Sequence, residues 1–183
     1  MFDANLANTV RNSAWARSAH RTGRVSTMQT PHPASRRFTI PSMTRIDFHT
    51  NIPDKLIYAC RLARKAWSTR AKVVLLAEDG AQAAALNEAL WTLSETDFIP
   101  HVLAGDPLAA ETPIIVTDRE DVALPHREML VNLTRRTPST FAEFARVFEI
   151  ISTDEADAAA GSQRYVAYKK QSYPLTHFVA NQS

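Results

Sequence analysis

From Met43 onward, apolar runs of strand length alternate with segments whose apolar residues recur every three to four positions, which reads as strand and helix in turn. "RIDFH" (45 to 49) is a strand. "DKLIYACRLARKAW" (54 to 67) places Leu56, Ala59, Cys60, Ala63 and Trp67 on one helical stripe, with Lys55, Arg61, Arg64 and Lys65 outside it. "KVVLLA" (72 to 77) is a continuous apolar run, expected where a parallel sheet is covered on both faces. A second helix, about 80 to 93, buries Ala83, Leu86, Leu90 and Leu93, and further strands follow at 99 to 103, 113 to 117 and 128 to 133. Thr137 reads as an N-cap with Pro138 at the first helical position, and Phe141, Phe144 and Phe148 give that helix a core face. A short apolar run, "FEII", then leads to Ser152-Thr153-Asp154-Glu155, whose S-x-x-E spacing forms a capping box for a last helix reaching about Tyr168. Gly161 weakens that helix by roughly 1 kcal/mol relative to alanine. The alternation predicts an α/β protein: a single three-layer α/β/α domain with a mostly parallel sheet.

Length and composition fit that picture. With 183 residues, 45% of them hydrophobic, the chain can bury one core and calls for no second. The expected organisation is an Arg-rich disordered extension over 1–42, the α/β domain over 43–178, and a tail at 179–183. The extension carries six arginines and one acid, Asp3, among many Ser, Thr, Asn and Pro residues. It can be read as a non-native stretch ahead of a true start at Met43, as an organelle targeting segment, or as a basic interaction tail. The formal net charge of +2 belongs to it, because residues 43 to 183 hold 15 basic and 18 acidic residues, a net of −3. A slightly acidic folded part argues against a broad nucleic-acid footprint. Direct nucleic-acid binding then rests on the arginine tail alone, and DNA is expected to be met mainly indirectly.

Cys60, the only cysteine, allows no intramolecular disulfide and fits a reducing cytoplasm. Its place on an apolar stripe makes it a small core residue rather than a nucleophile. No apolar run approaches the roughly 20 residues of a membrane span. The four glycines, Gly23, Gly80, Gly105 and Gly161, lie too far apart for a P-loop or a dinucleotide fingerprint, and G-x-S-x-G is absent. One enzyme or metal reading survives: Asp47 and His49 at the end of the first strand, with His101, Asp106 and Asp118 after later ones, could converge at one sheet edge as carboxylate and imidazole ligands. The bland alternative is surface polarity or a histidine bonded to backbone. No catalytic residue, cofactor or metal is otherwise indicated.

The aromatics Trp91 and Phe98 flank a polar connection, where each can either fill the core or anchor a partner. Here the sequence shows E-x-L-W, then "FIPHVLAG" ending at Gly105, "PIIVT", Asn132-Leu133, and R-Y-x-x-Y-K at 164 to 169. In that order these motifs resemble the chi subunit of bacterial DNA polymerase III holoenzyme over about Met43 to Phe178. The resemblance implies a non-catalytic accessory subunit of a DNA-directed DNA polymerase (nucleotidyltransferase) complex. It would link the clamp-loader complex to single-stranded-DNA-binding protein. Phe98, with Trp91, would meet the small psi subunit where one exists, or clamp-loader subunits directly. Arg164, Tyr165, Tyr168 and Lys169, helped by Lys170, would take the acidic, Phe-terminated tail of the single-stranded-DNA-binding protein, cations meeting carboxylates and rings walling a phenyl slot. Tyr165 and Tyr168 can equally pack the last helix down. Ala158 and Ser162 depart from the pattern, standing where a basic residue is expected in chi proteins, which implies a weaker tail site.

Overall fold

The computed structural model describes residues 43–94 and 98–180; the Arg-rich segment lies outside the described residues. Seven strands form one sheet: β1 (Arg45–Ile52), β2 (Val73–Leu76), β3 (His101–Leu103), β4 (Ile114–Thr117), β5 (Met129–Asn132), β6 (Arg146–Ser152) and β7 (Leu175–Val179). Three helices connect them: α1 (Lys55–Ser68), α2 (Gly80–Thr92) and α3 (Glu155–Lys170). The spatial order is β3-β4-β2-β5-β6-β1-β7 and every pairing is parallel. The expected α/β/α architecture is therefore present, with a sheet that is parallel throughout.

Successive strand residues divide between two cores, as the period of two requires. Val73 and Leu75 face a cluster that takes Ala59, Cys60 and Ala63 from α1 and Leu86 and Leu90 from α2. Val74 and Leu76 face a second cluster with Phe141, Phe144 and Tyr168, the last from α3. Each helix starts on an aspartate whose carboxylate accepts an N–H of the first turn: Asp54 from Ile57, Asp79 from Gln82 and Asp154 from Asp157.

Three local expectations are corrected. The helix expected from Thr137 is only a 3-10 turn at Phe141–Glu143, after which the chain runs straight into β6. Its phenylalanines point to different places: Phe141 and Phe144 join the second cluster, whereas Phe148 lies in the first. The cap of α3 is Asp154 rather than Ser152, whose hydroxyl donates to Asp157 instead. Trp67, expected on the buried stripe of α1, stands where that stripe ends on the last turn and is 37% exposed.

Gly161 has a packing reason to be glycine. A Cβ there would stand 2.4 Å from Ile151 Cδ1 and 2.8 Å from Cγ1, because α3 lies directly on β6 at that point. Gly161→Ala gains about 1 kcal/mol of helix propensity but overpacks a buried site, which costs about 1–3 kcal/mol. The expected balance is a lower melting temperature, with a smaller loss when the same change is made in an Ile151→Val background, where Cδ1 is gone and the γ-carbons remain. A higher melting temperature for the single variant would show that Ile151 moves aside freely.

Candidate functional site

The chain leaves β1 for α1 on one face of the sheet and leaves the adjacent β6 for α3 on the other. Between two such strands, outside their carboxyl ends, an open α/β sheet forms a crevice. A cavity of about 590 Å³ lies there, running under α3 toward β7. Phe48, Ile151, Tyr165 and Val166 form its apolar wall, and Thr50 and His177 stand among its polar positions. Tyr165 is held edge-on against Phe48, with ring centroids 5.1 Å apart. His177 Nε2 lies 2.8 Å from Thr50 Oγ1. Ala158 and Ser162 both line this cavity, and no lysine or arginine does. A phenyl-sized group fits its chemistry; a carboxylate would meet neutral donors and His177.

Of the four residues expected to hold an acidic tail, only Tyr165 lines this space. Arg164 turns inward and is 3% exposed. Its Nε donates to Glu149 Oε2 at 3.0 Å and its Nη1 to the Arg135 carbonyl at 2.7 Å. Tyr168, also buried, donates its hydroxyl to Glu149 Oε1 at 2.8 Å, and Asn132 Nδ2 donates to Oε2 at 3.0 Å. The expected guanidinium fork beside an aromatic wall is thus a structural lock joining α3 to β5 and β6. Burial pushes the Glu149 carboxyl upward, while Arg164, Tyr168 and Asn132 pull against that shift. Lys169 and Lys170 are exposed on the last turn of α3, outside the cavity lining. Glu149 went unread in the sequence, although Asn132, Arg164 and Tyr168, three residues of the quoted motifs, converge on it.

At the opposite side of the sheet, Trp91 at the end of α2 and Phe98 before β3 are 52% and 64% exposed. Their ring centroids are 5.5 Å apart, and Trp91 also packs against His101 with centroids 4.7 Å apart and the rings tilted by 57°. Both rings are therefore organised against each other without being buried. Residues 95–97 of the connection between them lie outside the described residues.

The strand-end ligands do not converge. β3 and β1 are separated by five strand spacings, about 24 Å, so His101 cannot share a ligand with Asp47 or His49. Asp47 is committed to Arg146, Arg45 and Thr176. Burial raises its carboxyl, but those partners outweigh burial and hold it below the usual carboxylate range. His49 Nδ1 lies 2.6 Å from the Tyr58 hydroxyl, and the His101 ring nitrogens lie 2.7 Å and 3.2 Å from the Ile99 and Asn87 carbonyls. Asp118 Oδ2 lies 3.3 Å from where a Cβ on Gly80 would stand, at the start of α2, and Asp106 caps the turn at Leu108. Among the described residues no group of three His, Cys, Asp or Glu is placed to hold a metal ion. Cys60 is fully buried and its thiol is pushed up to about 12 by that burial, with Asp54 adding to the effect. Among the described residues no helix is long and apolar enough to cross a membrane.

What the fold and surface define is an all-parallel α/β/α protein with a switch-point cavity under α3 and an exposed aromatic pair at the opposite edge, its buried ionisable groups Asp47, Glu149, Asp157 and Arg164 being spent on structure. The family model for the DNA polymerase III chi subunit, HolC, matches residues 43–176, and the chain belongs to that family. It is 38% identical to DNA polymerase III subunit chi of Pseudomonas aeruginosa, over 73% of this chain and 94% of that one. It is 30% identical to the Haemophilus influenzae subunit, over 64% and 82%, and 28% identical to the Escherichia coli subunit, over 63% and 79%. Among solved structures, T4 UvsW aligns with a TM-score of 0.58 at 9% identity, covering 75% of this chain and 41% of that one, a likeness of fold alone. Family membership supports an accessory role in DNA replication.

Proposed function

We propose that the protein links the clamp-loader complex to single-stranded-DNA-binding protein, taking the acidic, Phe-terminated tail of the latter in the cavity beneath α3. The observation that supports this reading is the cavity itself: a slot at a topological switch point, walled by Phe48 of β1 and by Tyr165 and Val166 on the helix that carries the R-Y-x-x-Y-K motif. The terminal phenyl ring occupies the apolar wall, and the tail's carboxylates meet neutral donors, with Lys169 and Lys170 supplying charge at a distance. In this reading Trp91 and Phe98 face the psi subunit, or the clamp loader where psi is absent.

The test is anisotropy of a labelled tail peptide from the same organism, titrated with the wild-type protein and with Tyr165→Ala. Tyr165 is half-buried at the cavity rim, so its truncation leaves the fold in place, whereas Arg164→Ala would disturb the helix itself. Loss of a buried aromatic contact of about 1–2 kcal/mol corresponds to roughly 5–30-fold weaker binding. Equal affinity of the variant, or equal affinity for a peptide lacking its terminal Phe, would remove the cavity from the function.

A further inference from the structure

Between Lys55 and Ala77 the chain holds six cations and no carboxylate, in a folded part whose net charge is −3. Lys55 is spent on Asp157, 3.0 Å away. The others lie along the outer side of α1 and the segment that follows it. Arg61, Arg64, Lys65 and Ser68 succeed one another at helical spacing, spanning about 10 Å of axis, and they alone line a surface concavity of about 380 Å³. Trp67 is 37% exposed on the same last turn. Among the described residues no carboxylate pairs with Arg61, Lys65 or Arg70; Glu128, accepting from the Lys72 backbone N–H, marks the far end of the patch.

Arg70 adds an independent observation. It sits just past the C-cap Thr69 with φ of 63°, and its N–H donates to the Trp67 carbonyl at 2.8 Å. This is the position where a helix stop ordinarily uses glycine, since other side chains are disfavoured in the left-handed region. A long, exposed cation stands there instead. It adds a cation at the end of the helix that carries Arg61, Arg64 and Lys65.

We propose that the outer face of α1, from Arg61 through Arg70, binds single-stranded nucleic acid, the guanidinium and ammonium groups meeting successive phosphates while Trp67 stacks a base. A row of cations that tracks a backbone, with an aromatic platform beside it, is the chemistry such strands require. The i, i+3 and i, i+4 steps of roughly 5–6 Å along the row suit the successive charges of a polyphosphate, and Trp67, 37% exposed, brings an aromatic to the end of that row. A replication accessory protein works beside such strands, and the site lies on the face of the sheet opposite α3.

The experiment uses the full chain and a fluorescein-labelled oligothymidylate, comparing wild type with the triple variant Arg61→Gln, Lys65→Gln, Arg70→Gly and with Trp67→Ala. The Arg-rich N-terminal segment is common to all, so differences report on α1. The triple variant is expected to bind about tenfold more weakly at low salt and to lower the slope of log affinity against log salt by about 2, at roughly 0.7 per phosphate contact. Trp67→Ala is expected to weaken binding several-fold with the salt slope unchanged, a stacking signature that a folding defect would not give. Melting temperatures equal to wild type, or higher with Arg70→Gly, confirm intact folds. Equal affinity of the triple variant and wild type would overturn the proposal. So would displacement of the oligonucleotide by oligo-aspartate as readily as by unlabelled oligothymidylate, since the patch would then be a site for an acidic protein.

Discussion

Glu149→Ala is expected to destabilise the domain by about 3–5 kcal/mol, the usual consequence of removing one partner from a buried ion pair. The Glu149 side chain is fully buried and accepts three hydrogen bonds, from Arg164, Tyr168 and Asn132. Its loss leaves a guanidinium that is 3% exposed with no counter-charge, and Arg164 Nη2 already lacks a partner among the described residues. Two further donors, the Tyr168 hydroxyl and one N–H of Asn132, lose an acceptor. Set against a typical total of about 5–15 kcal/mol, this is a large share, and for a domain of this size it lowers the melting temperature by roughly 10–15 °C.

The cause can be separated from simple cavity formation. Arg164→Met in the Glu149→Ala background removes the stranded charge, so the double variant should be more stable than Glu149→Ala alone. Thermal melts of the three proteins decide it. If Glu149→Ala instead lies within about 0.5 kcal/mol of wild type, as an ordinary surface change would, then Arg164 does not depend on Glu149. It would then be available to an external carboxylate, as its sequence context first suggested.

That reversal shows where the sequence could and could not be read. The alternation of β2, α2, β4 and β5 was plain because strands covered on both faces are written as unbroken apolar runs. The face of α3 was not, because its buried stripe is Asp157, Gly161, Arg164 and Tyr168: the right spacing carried by the wrong residue types. Sequence spacing correctly made Arg164 and Tyr168 neighbours, but hydrophobic periodicity had no means of turning them inward. β6 was hidden for the same reason, since its buried run includes Glu149 and begins among phenylalanines whose spacing imitates a helix. β7 escaped notice because four of its five residues are exposed, so burial left no trace in it. The cavity beneath α3 depends on those three elements together, and of its lining only Tyr165 was legible as a site residue.

Phe98→Ala should leave the melting temperature within about 1 °C of wild type, yet weaken assembly with the partner that reads this edge by about 2 kcal/mol, roughly 30-fold. The first half follows from exposure: Phe98 is 64% exposed, and its ring contact among the described residues is with Trp91, itself 52% exposed. The second half follows from the cost of keeping the pair exposed. Two large rings held 5.5 Å apart, with Trp91 seated on His101, form a rigid apolar projection rather than two scattered side chains. Such a preformed anchor loses little rotamer freedom on docking, which is where a contact residue gains its leverage. Titration of the reconstituted clamp-loader complex, with psi where the organism has one, compares wild type, Phe98→Ala and Tyr165→Ala. The aromatic pair and the cavity lie at opposite ends of the sheet, so Tyr165→Ala should assemble normally while Phe98→Ala does not. Equal assembly by Phe98→Ala and wild type would mean that the pair serves only to cover His101 and the start of β3, and that the clamp-loader contact lies elsewhere on the surface.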